Sequence, residues 1–382
     1  MTAGELLKLI PSQVFRDLAV ETEVDRQVKK LPGEVIFKLI LFSMLSSDKL
    51  SLRVMETFLQ SAKFKSFSQY DILEGKYNSI RDRICTINAE YFEKLFATIF
   101  SIYNKQLKEE TALSKVDSTF VALATKLFSE GMRNGDDSKR FVKYTVSIKG
   151  SLPSAVKVFT DQSHVNENIA LAELINEDSS LTDNTVVFDR GLQTRKSFDN
   201  FTSHGKWFIT RSKPNVSYKE TVINIVPPKP TGSTITIEGD KTGRLLSGKS
   251  KKTEHVYRVI QGTIDASGEK IFLITNMLNE DAYLIAAWYK QRWEIESFFK
   301  FIKQHLNFKH LVSRTENGIK VMVHMTMILA VLILAYKKLN KLKGFKLAKL
   351  KFELELENEI IKEIVRLCGG DPTLAPGLFS SA

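Results

Sequence analysis

The stretch Asp281–Leu306, DAYLIAAWYKQRWEIESFFKFIKQHL, contains neither proline nor glycine and carries the spacing of a helix. At about 100° per residue, Tyr289, Arg292, Glu296 and Lys303 point in directions of roughly 0°, −60°, −20° and −40°, a single narrow stripe. Trp288, Ile295, Phe298, Phe299, Ile302 and Leu306 fall at roughly −80° to −180°, an apolar stripe alongside it. A solvated helix scatters its charges around the outside. This one gathers a tyrosine, two cations and a carboxylate at the margin of the face it presses onto a core, where a reactive site needs them.

Working outward, the segment before this helix is β-rich. Pro214, Pro227, Pro228 and Pro230 punctuate short alternating runs at Thr221–Val226, Ser233–Glu238 and His255–Thr263, while Thr242–Lys252 reads as an exposed Gly/Ser/Lys-rich loop. These residues predict an inserted β subdomain over 213–269. One more strand, Ile271–Thr275, leads to Asn279, Glu280 and Asp281, suitable residues for a helix N-terminus. Earlier, strand-like runs occupy Ser114–Leu123, Phe141–Ile148, Ala155–Thr160, Thr185–Asp189 and Lys206–Ser212. Helical stretches Asn166–Ile175 and Thr194–Thr202 separate the last three. Three strands, then helix, strand, helix, strand is the order of a ribonuclease H-like α/β fold, in which the first and fourth strands are neighbours. Residues 1–112 have helical periodicity throughout. The expected division is a helical N-terminal domain at 1–112, a catalytic core at 113–212 and 270–345 interrupted by the insertion, and a helical tail at 346–382 that serves dimerisation.

Length and composition agree with a multi-domain globular protein: 382 residues, 43% hydrophobic. The two cysteines, Cys85 and Cys368, lack metal-ligand spacing and read as reduced thiols of a cytosolic protein. His305 and His310 have no partner at zinc spacing. Val321–Tyr336 is apolar but 16 residues long with His324 and Thr326 inside it, short of the roughly 20 residues a membrane span needs; it reads as a buried helix. The net charge of +11 is concentrated: residues 281–352 hold 14 Lys and Arg against 4 Asp and Glu. Such a concentration is the footprint of a polyanion-binding surface, although the run Lys337–Lys351 alone reads equally as a solvated face.

Phosphodiester cleavage by two metal ions needs acidic ligands converging from different elements, holding ions about 3.5–4 Å apart. Three carboxylates suit that task. Asp117 lies in the first strand (SKVDSTF), Asp189 closes the fourth (TVVFDRG), and Glu296 comes from the late helix. Each has a plainer reading alone: Asp117 as a polar residue on a half-exposed strand, Asp189 as a turn residue, Glu296 as an i,i+4 partner of Lys300. Their joint placement on strand one, strand four and the late helix favours a shared site.

The spacing Tyr289-x2-Arg292-x3-Glu296-x6-Lys303, the motif Asp189-Arg190-Gly191 and the pair Thr275-Asn276 resemble the signatures of bacterial insertion-sequence transposases of the DDE class. The similar branch is the one that inserts a β-rich segment before its last acidic residue. The resemblance covers Leu113 to Tyr336 well and the N-terminal region weakly, where Lys49–Leu59 is similar to the entry segment of that branch. It implies a catalytic triad of Asp117, Asp189 and Glu296 that binds two Mg²⁺ ions, with Mn²⁺ as a substitute. Tyr289, Arg292, Lys303 and Arg190 are then the DNA contacts, a role their phosphate-binding chemistry suits. The implied activity is cut-and-paste transposition: hydrolysis of strands at terminal inverted repeats and transfer of the 3′-hydroxyl ends to target DNA. A homodimer acting on double-stranded DNA in the bacterial cytoplasm, at the nucleoid and away from membranes, follows from the same resemblance. The family also stacks a flipped base on an aromatic side chain. For that role the insertion offers Tyr218 and Tyr257, while Trp207 and Trp293 read as core residues. Two rival functions remain: a stand-alone nuclease of the same fold, and a catalytically silent DNA-binding descendant of a transposase.

Overall fold

A computed structural model describes residues 1–382 except 71–73, 110–111, 125–130, 134, 136–137, 179–180, 182–183, 215, 248–250, 307, 309–310 and 375–382. His310 therefore lies outside the described residues.

Among the described residues helices come first, four of the seven started by a side-chain cap. They are α1 (Ala3–Leu7), α2 (Ser12–Glu21), α3 (Gly33–Ser46), α4 (Leu52–Leu59), α5 (Ala62–Ser68), α6 (Tyr77–Thr86) and α7 (Ala89–Leu107). Thr2 and Glu5 form a reciprocal capping box, and Ser51, Ser61 and Asn88 accept bonds from the otherwise unpaired first-turn amides of α4, α5 and α7. Three strands follow, β1 (Leu113–Ala124), β2 (Lys139–Lys149) and β3 (Leu152–Phe159). Then α8 (Glu167–Glu177), β4 (Thr185–Phe188), α9 (Arg195–Ser203) and β5 (Trp207–Arg211) alternate. Next come β6 (Tyr218–Ile223), β7 (Ile235–Ser247), β8 (Lys251–Lys252), β9 (Tyr257–Ile264) and β10 (Lys270–Thr275). The chain closes with α10 (Ala282–Lys290), α11 (Trp293–His305), α12 (Glu316–Leu339) and α13 (Phe345–Leu367).

The strands build one mixed sheet in the order β3-β2-β1-β4-β5-β10-β9-β7-β6, with β8 hairpinned onto β7. β1 is antiparallel to β2 and parallel to β4, and β4 is parallel to β5. The first and fourth strands are therefore neighbours. Residues 213–269 do not stand apart as a subdomain: β9 pairs antiparallel with β10, so β6, β7 and β9 lengthen the same sheet. Nor is Thr242–Ser247 a loop. β7 runs on to Ser247 because Thr242 and Gly243 pair with Arg258 and Tyr257 of β9 while Arg244 and Leu245 pair with β6. Cross-strand partners overrode a composition that favours a turn.

Helices cover both faces. On one, α8 and α9 bury Leu171, Leu174, Phe198 and Phe201 against Val116, Val186, Phe188 and Phe208. On the other, α10 packs on Val187 and Ile209. Beside it, α11 and α12 share a continuous apolar core with Val142, Tyr144 and Val146 of β2 and with the N-terminal helices. α12 is long and apolar enough to cross a membrane, with mean hydropathy 2.1, yet 94% of that window is buried inside the protein. His324 Nδ1 and Thr326 Oγ1 bond the carbonyls of Lys320 and Met322 one turn earlier. The helix is a core element. α13 buries Ala348, Phe352, Leu356 and Ile360 against the rest of the chain, and Lys349 is partly covered and bonded to Glu353 at 3.0 Å rather than solvated.

Candidate active site

Strand register brings the first two carboxylates together. The parallel pairing of β1 with β4 ends at Val116 opposite Phe188, so the next residues along the two strands are Asp117 and Asp189. Val116 and Phe188 both face the α8/α9 side. Alternation then turns the following residue of each strand toward the α10/α11 side. Asp189 sits just beyond the carboxyl end of β4, where α/β sheets bind ligands, and Asp117 lies within β1, one residue past the end of its pairing with β4. Behind them Gly191 lies close against Glu167: a Cβ there would stand 3.0 Å from that side chain, a tight contact. Glu167, at the start of α8, pairs at 2.8 Å with Lys143, an ammonium fully buried in β2.

The third carboxylate arrives on a helix that is not continuous. Asp281 caps α10 by accepting from the amides of Tyr283 and Leu284. At Gln291 and Arg292 the amides bond three residues back, to Trp288 and Tyr289, and those of Glu294 and Ile295 do the same to Gln291 and Arg292. A short tight turn of i→i−3 bonds therefore splits the expected single helix into α10 and α11. No proline or glycine causes it. The single-stripe reading of Tyr289, Arg292, Glu296 and Lys303 is corrected accordingly: Tyr289 belongs to α10, Glu296 and Lys303 to α11, and Arg292 to the turn.

That turn aims Arg292 at the acids. Its Nη2 donates to Glu296 Oε1 at 2.8 Å, and its Nη1 stands 3.8 Å from Asp117 Oδ2. Arg292 is 6% exposed, yet its Nε and Nη1 have no hydrogen-bond partner within the protein. The guanidinium lies near the rings of Tyr289, at 5.9 Å, and Trp293, at 5.4 Å. Glu296 thus pairs with Arg292 and not with Lys300. Burial pushes the Asp117 carboxyl up to about 6, against the pull of the Ser118 amide and the Arg292 charge. Burial likewise pushes the Tyr289 hydroxyl up to about 12, with Arg292 opposing and Asp189 reinforcing the shift. Tyr289 therefore stays a neutral donor at physiological pH.

Of the remaining sequence candidates, the Lys303 ammonium bonds Thr119 Oγ1 on β1. Arg190 is exposed in the turn after Asp189. Trp293 and Trp207 are 62% and 45% exposed, contrary to their reading as core residues. Tyr257 is fully buried, with its hydroxyl on Asp199, so it offers no stacking face. Two site residues escaped the sequence reading, Lys115 and Glu294, which form an ion pair of 2.7 Å beside Asp117. The signal for the first was its place two residues before Asp117, on the same face of a strand.

The three carboxylates offer oxygen donors only, which suits a hard divalent cation. Among the described residues no three acidic, histidine or cysteine side chains are gathered as a ligand set. Between Asp117 and Glu296 the Arg292 guanidinium supplies the positive charge instead.

Comparison with known proteins agrees with this architecture. A family model described as "Transposase DDE domain" matches residues 112–332. The chain is 25% identical over 258 residues to a probable transposase for insertion sequence element IS5377 of Geobacillus stearothermophilus, covering 65% of this chain and 64% of that protein. It is 28% identical over 265 residues to the putative transposase y4zB of Sinorhizobium fredii (67% and 71%). It is 27% identical over 241 residues to a putative transposase for insertion sequence element IS4SA of Synechocystis (60% and 62%). The chain thus spans less than two thirds of the length of two of these three relatives.

Proposed function

From the premise that this chain belongs to the DDE-domain transposases of bacterial insertion sequences, we propose that it cuts and rejoins DNA at the ends of its own element. The observation that carries the reading is the convergence of Asp117 and Asp189, one register step past a parallel strand pair, with Glu296 linked to Asp117 through Arg292. In this reading β1–β5 and β10 with their helices form a ribonuclease H-like core, the strands of 213–269 are the insertion, and the helices of 1–112 contact the element's ends.

Asp117, Asp189 and Glu296 would hold two Mg²⁺ ions, with Mn²⁺ as substitute. Bound there, the ions would activate the attacking hydroxyl and stabilise the leaving 3′-oxygen of an in-line displacement. The chain's own groups do the rest. The unpaired Nε and Nη1 of Arg292 are donors in want of acceptors, and a backbone phosphate supplies them in the forked geometry a guanidinium prefers. The rings of Tyr289 and Trp293 both lie near that guanidinium. Lys303 and Arg190 extend the positive rim. Hydrolysis frees a 3′-hydroxyl, and the same site then orients that hydroxyl against the second strand and against target phosphates. Two ends must be joined, so a homodimer is the working unit.

Incubation of the protein with its flanking terminal repeats, target plasmid and Mg²⁺ tests the reading. End cleavage followed by joined products is expected. Cleavage without joining would leave a nuclease, and binding without either would leave a silent DNA-binding protein.

A further inference from the structure

The α10–α11 break creates a mechanical problem. A continuous helix would set the position of Glu296 from Asp281 onward; a helix interrupted at Gln291 and Arg292 does not. Something outside α10 must hold α11 in place. Along β1, Lys115, Asp117 and Thr119 alternate onto one face. α11 lies along that face, and two side-chain bonds join them. Near its start Glu294 Oε2 accepts from Lys115 Nζ at 2.7 Å, and near its end the Lys303 ammonium donates to Thr119 Oγ1. The two spans match: nine helical residues rise about 13.5 Å, and four strand residues about 13 Å. Asp117 is the midpoint of the strand span, and Glu296 is two residues inside the helix span.

Lys115 is an unusual tether. Its side chain is 3% exposed, and its ammonium is further fixed by the carbonyl of Gly150 at 2.8 Å. A lysine this deep has no access to a DNA backbone. A buried ammonium is costly unless fully partnered, and its charged partner is Glu294, whose own side chain is 58% exposed. For stability alone an apolar residue at this position would serve as well. What the ion pair adds is direction: it fixes the first turn of α11 to the strand that carries Asp117.

We propose that Lys115 is a positioning residue of the active site, setting the separation of Glu296 from Asp117 through its ion pair with Glu294. The inference rests on the assignment of Asp117 and Glu296 as metal-binding groups. It adds a pair outside the triad and outside the DNA-contacting set. Groups that orient metal ligands typically cost 10–100-fold in metal affinity or activity when removed.

The test uses the full-length protein and Mn²⁺ alone as probe, followed by loss of the free-ion EPR signal. Glu294→Ala is expected to weaken Mn²⁺ binding about tenfold, while the denaturation midpoint and the affinity for terminal-repeat DNA stay near the parent's. Lys115→Met should do the same, and the double variant should be no worse than Lys115→Met, because both changes break one interaction. Lys115→Arg, which keeps the charge and a donor, should recover most of the binding. Should Lys115→Met fail to fold, Glu294→Ala carries the test by itself. Parent-like Mn²⁺ binding in Glu294→Ala overturns the inference, as does a loss fully explained by a lowered denaturation midpoint. Asp117→Asn serves as the control: if it too binds Mn²⁺ like the parent, the metal-site assignment fails, and not merely the tether.

Discussion

Two buried arginines face carboxylates in this protein, and they are partnered very differently. Arg258 of β9 grips Asp240 of β7 with Nε at 2.9 and 3.0 Å and Nη2 at 2.5 Å, and its Nη1 reaches the carbonyls of Leu278 and Glu280. Asp240 accepts further from Asn224. Arg292 is as deeply buried but has one close carboxylate contact and two donor nitrogens without partners. An unmet buried donor costs on the order of 1–3 kcal/mol. The same chain saturates one buried guanidinium and leaves donors of another unmet, as the proposed function requires of a phosphate-binding group. Saturation marks Arg258 as architecture; the unmet donors of Arg292 are what the proposed phosphate contact would satisfy.

The largest effect is expected at the acids around Arg292. Asp117→Ala, Asp189→Ala and Glu296→Ala should each abolish cleavage in a gel assay while terminal-repeat binding, measured on the same preparations, is largely kept. Full cleavage by one of the three would remove that residue from the site and weaken the functional half of the contrast.

At the architectural pair the loss should appear in stability instead. Arg258→Ala leaves the Asp240 charge buried and unpaired, so denaturant unfolding should show a loss of about 3–5 kcal/mol. Arg292→Ala should change stability by less than about 1 kcal/mol, since it removes unmet donors along with the charge. Equal destabilisation by both variants would break the comparison.

His324 is buried by a third strategy, loss of charge. Burial in α12 lowers its ring to about 4 from 6.5, so below pH 6.5 the unfolded chain takes up a proton that the folded chain resists. Its contribution is therefore neutral above pH 6.5 and becomes a cost as pH falls toward 4, about 3 kcal/mol in full. His324→Gln should flatten that part of the stability–pH curve relative to the parent. An unchanged acid limb would refute it.

The smallest effect is the most specific. Arg292→Ala and Lys303→Ala should each lower the salt dependence of end binding, by about one unit of slope for every phosphate that the variant no longer neutralises. Lys343→Ala, an exposed lysine of the basic run after α12, is the comparison and should change it less. Titrations across salt concentrations decide this, and parent-like slopes for both site variants would remove the phosphate role.

What the sequence determined by itself is local. The alternation around Asp117, the strand closing at Asp189 and the 3.6-residue period around Glu296 are properties of neighbouring residues, and they nominate the three acids and order the elements. The resemblance to insertion-sequence transposases rested on the same short spacings. The tertiary structure decided the rest. It broke the helix at Gln291–Arg292 without a breaking residue, and it ran β7 through a stretch composed like a loop. It also exposed Trp293, buried Tyr257 and joined Lys115 to Glu294 across 179 positions of chain. Each of these outcomes is set by partners far away in sequence, whose hydrogen bonds and packing outweigh the few tenths of a kcal/mol per residue that local preference supplies.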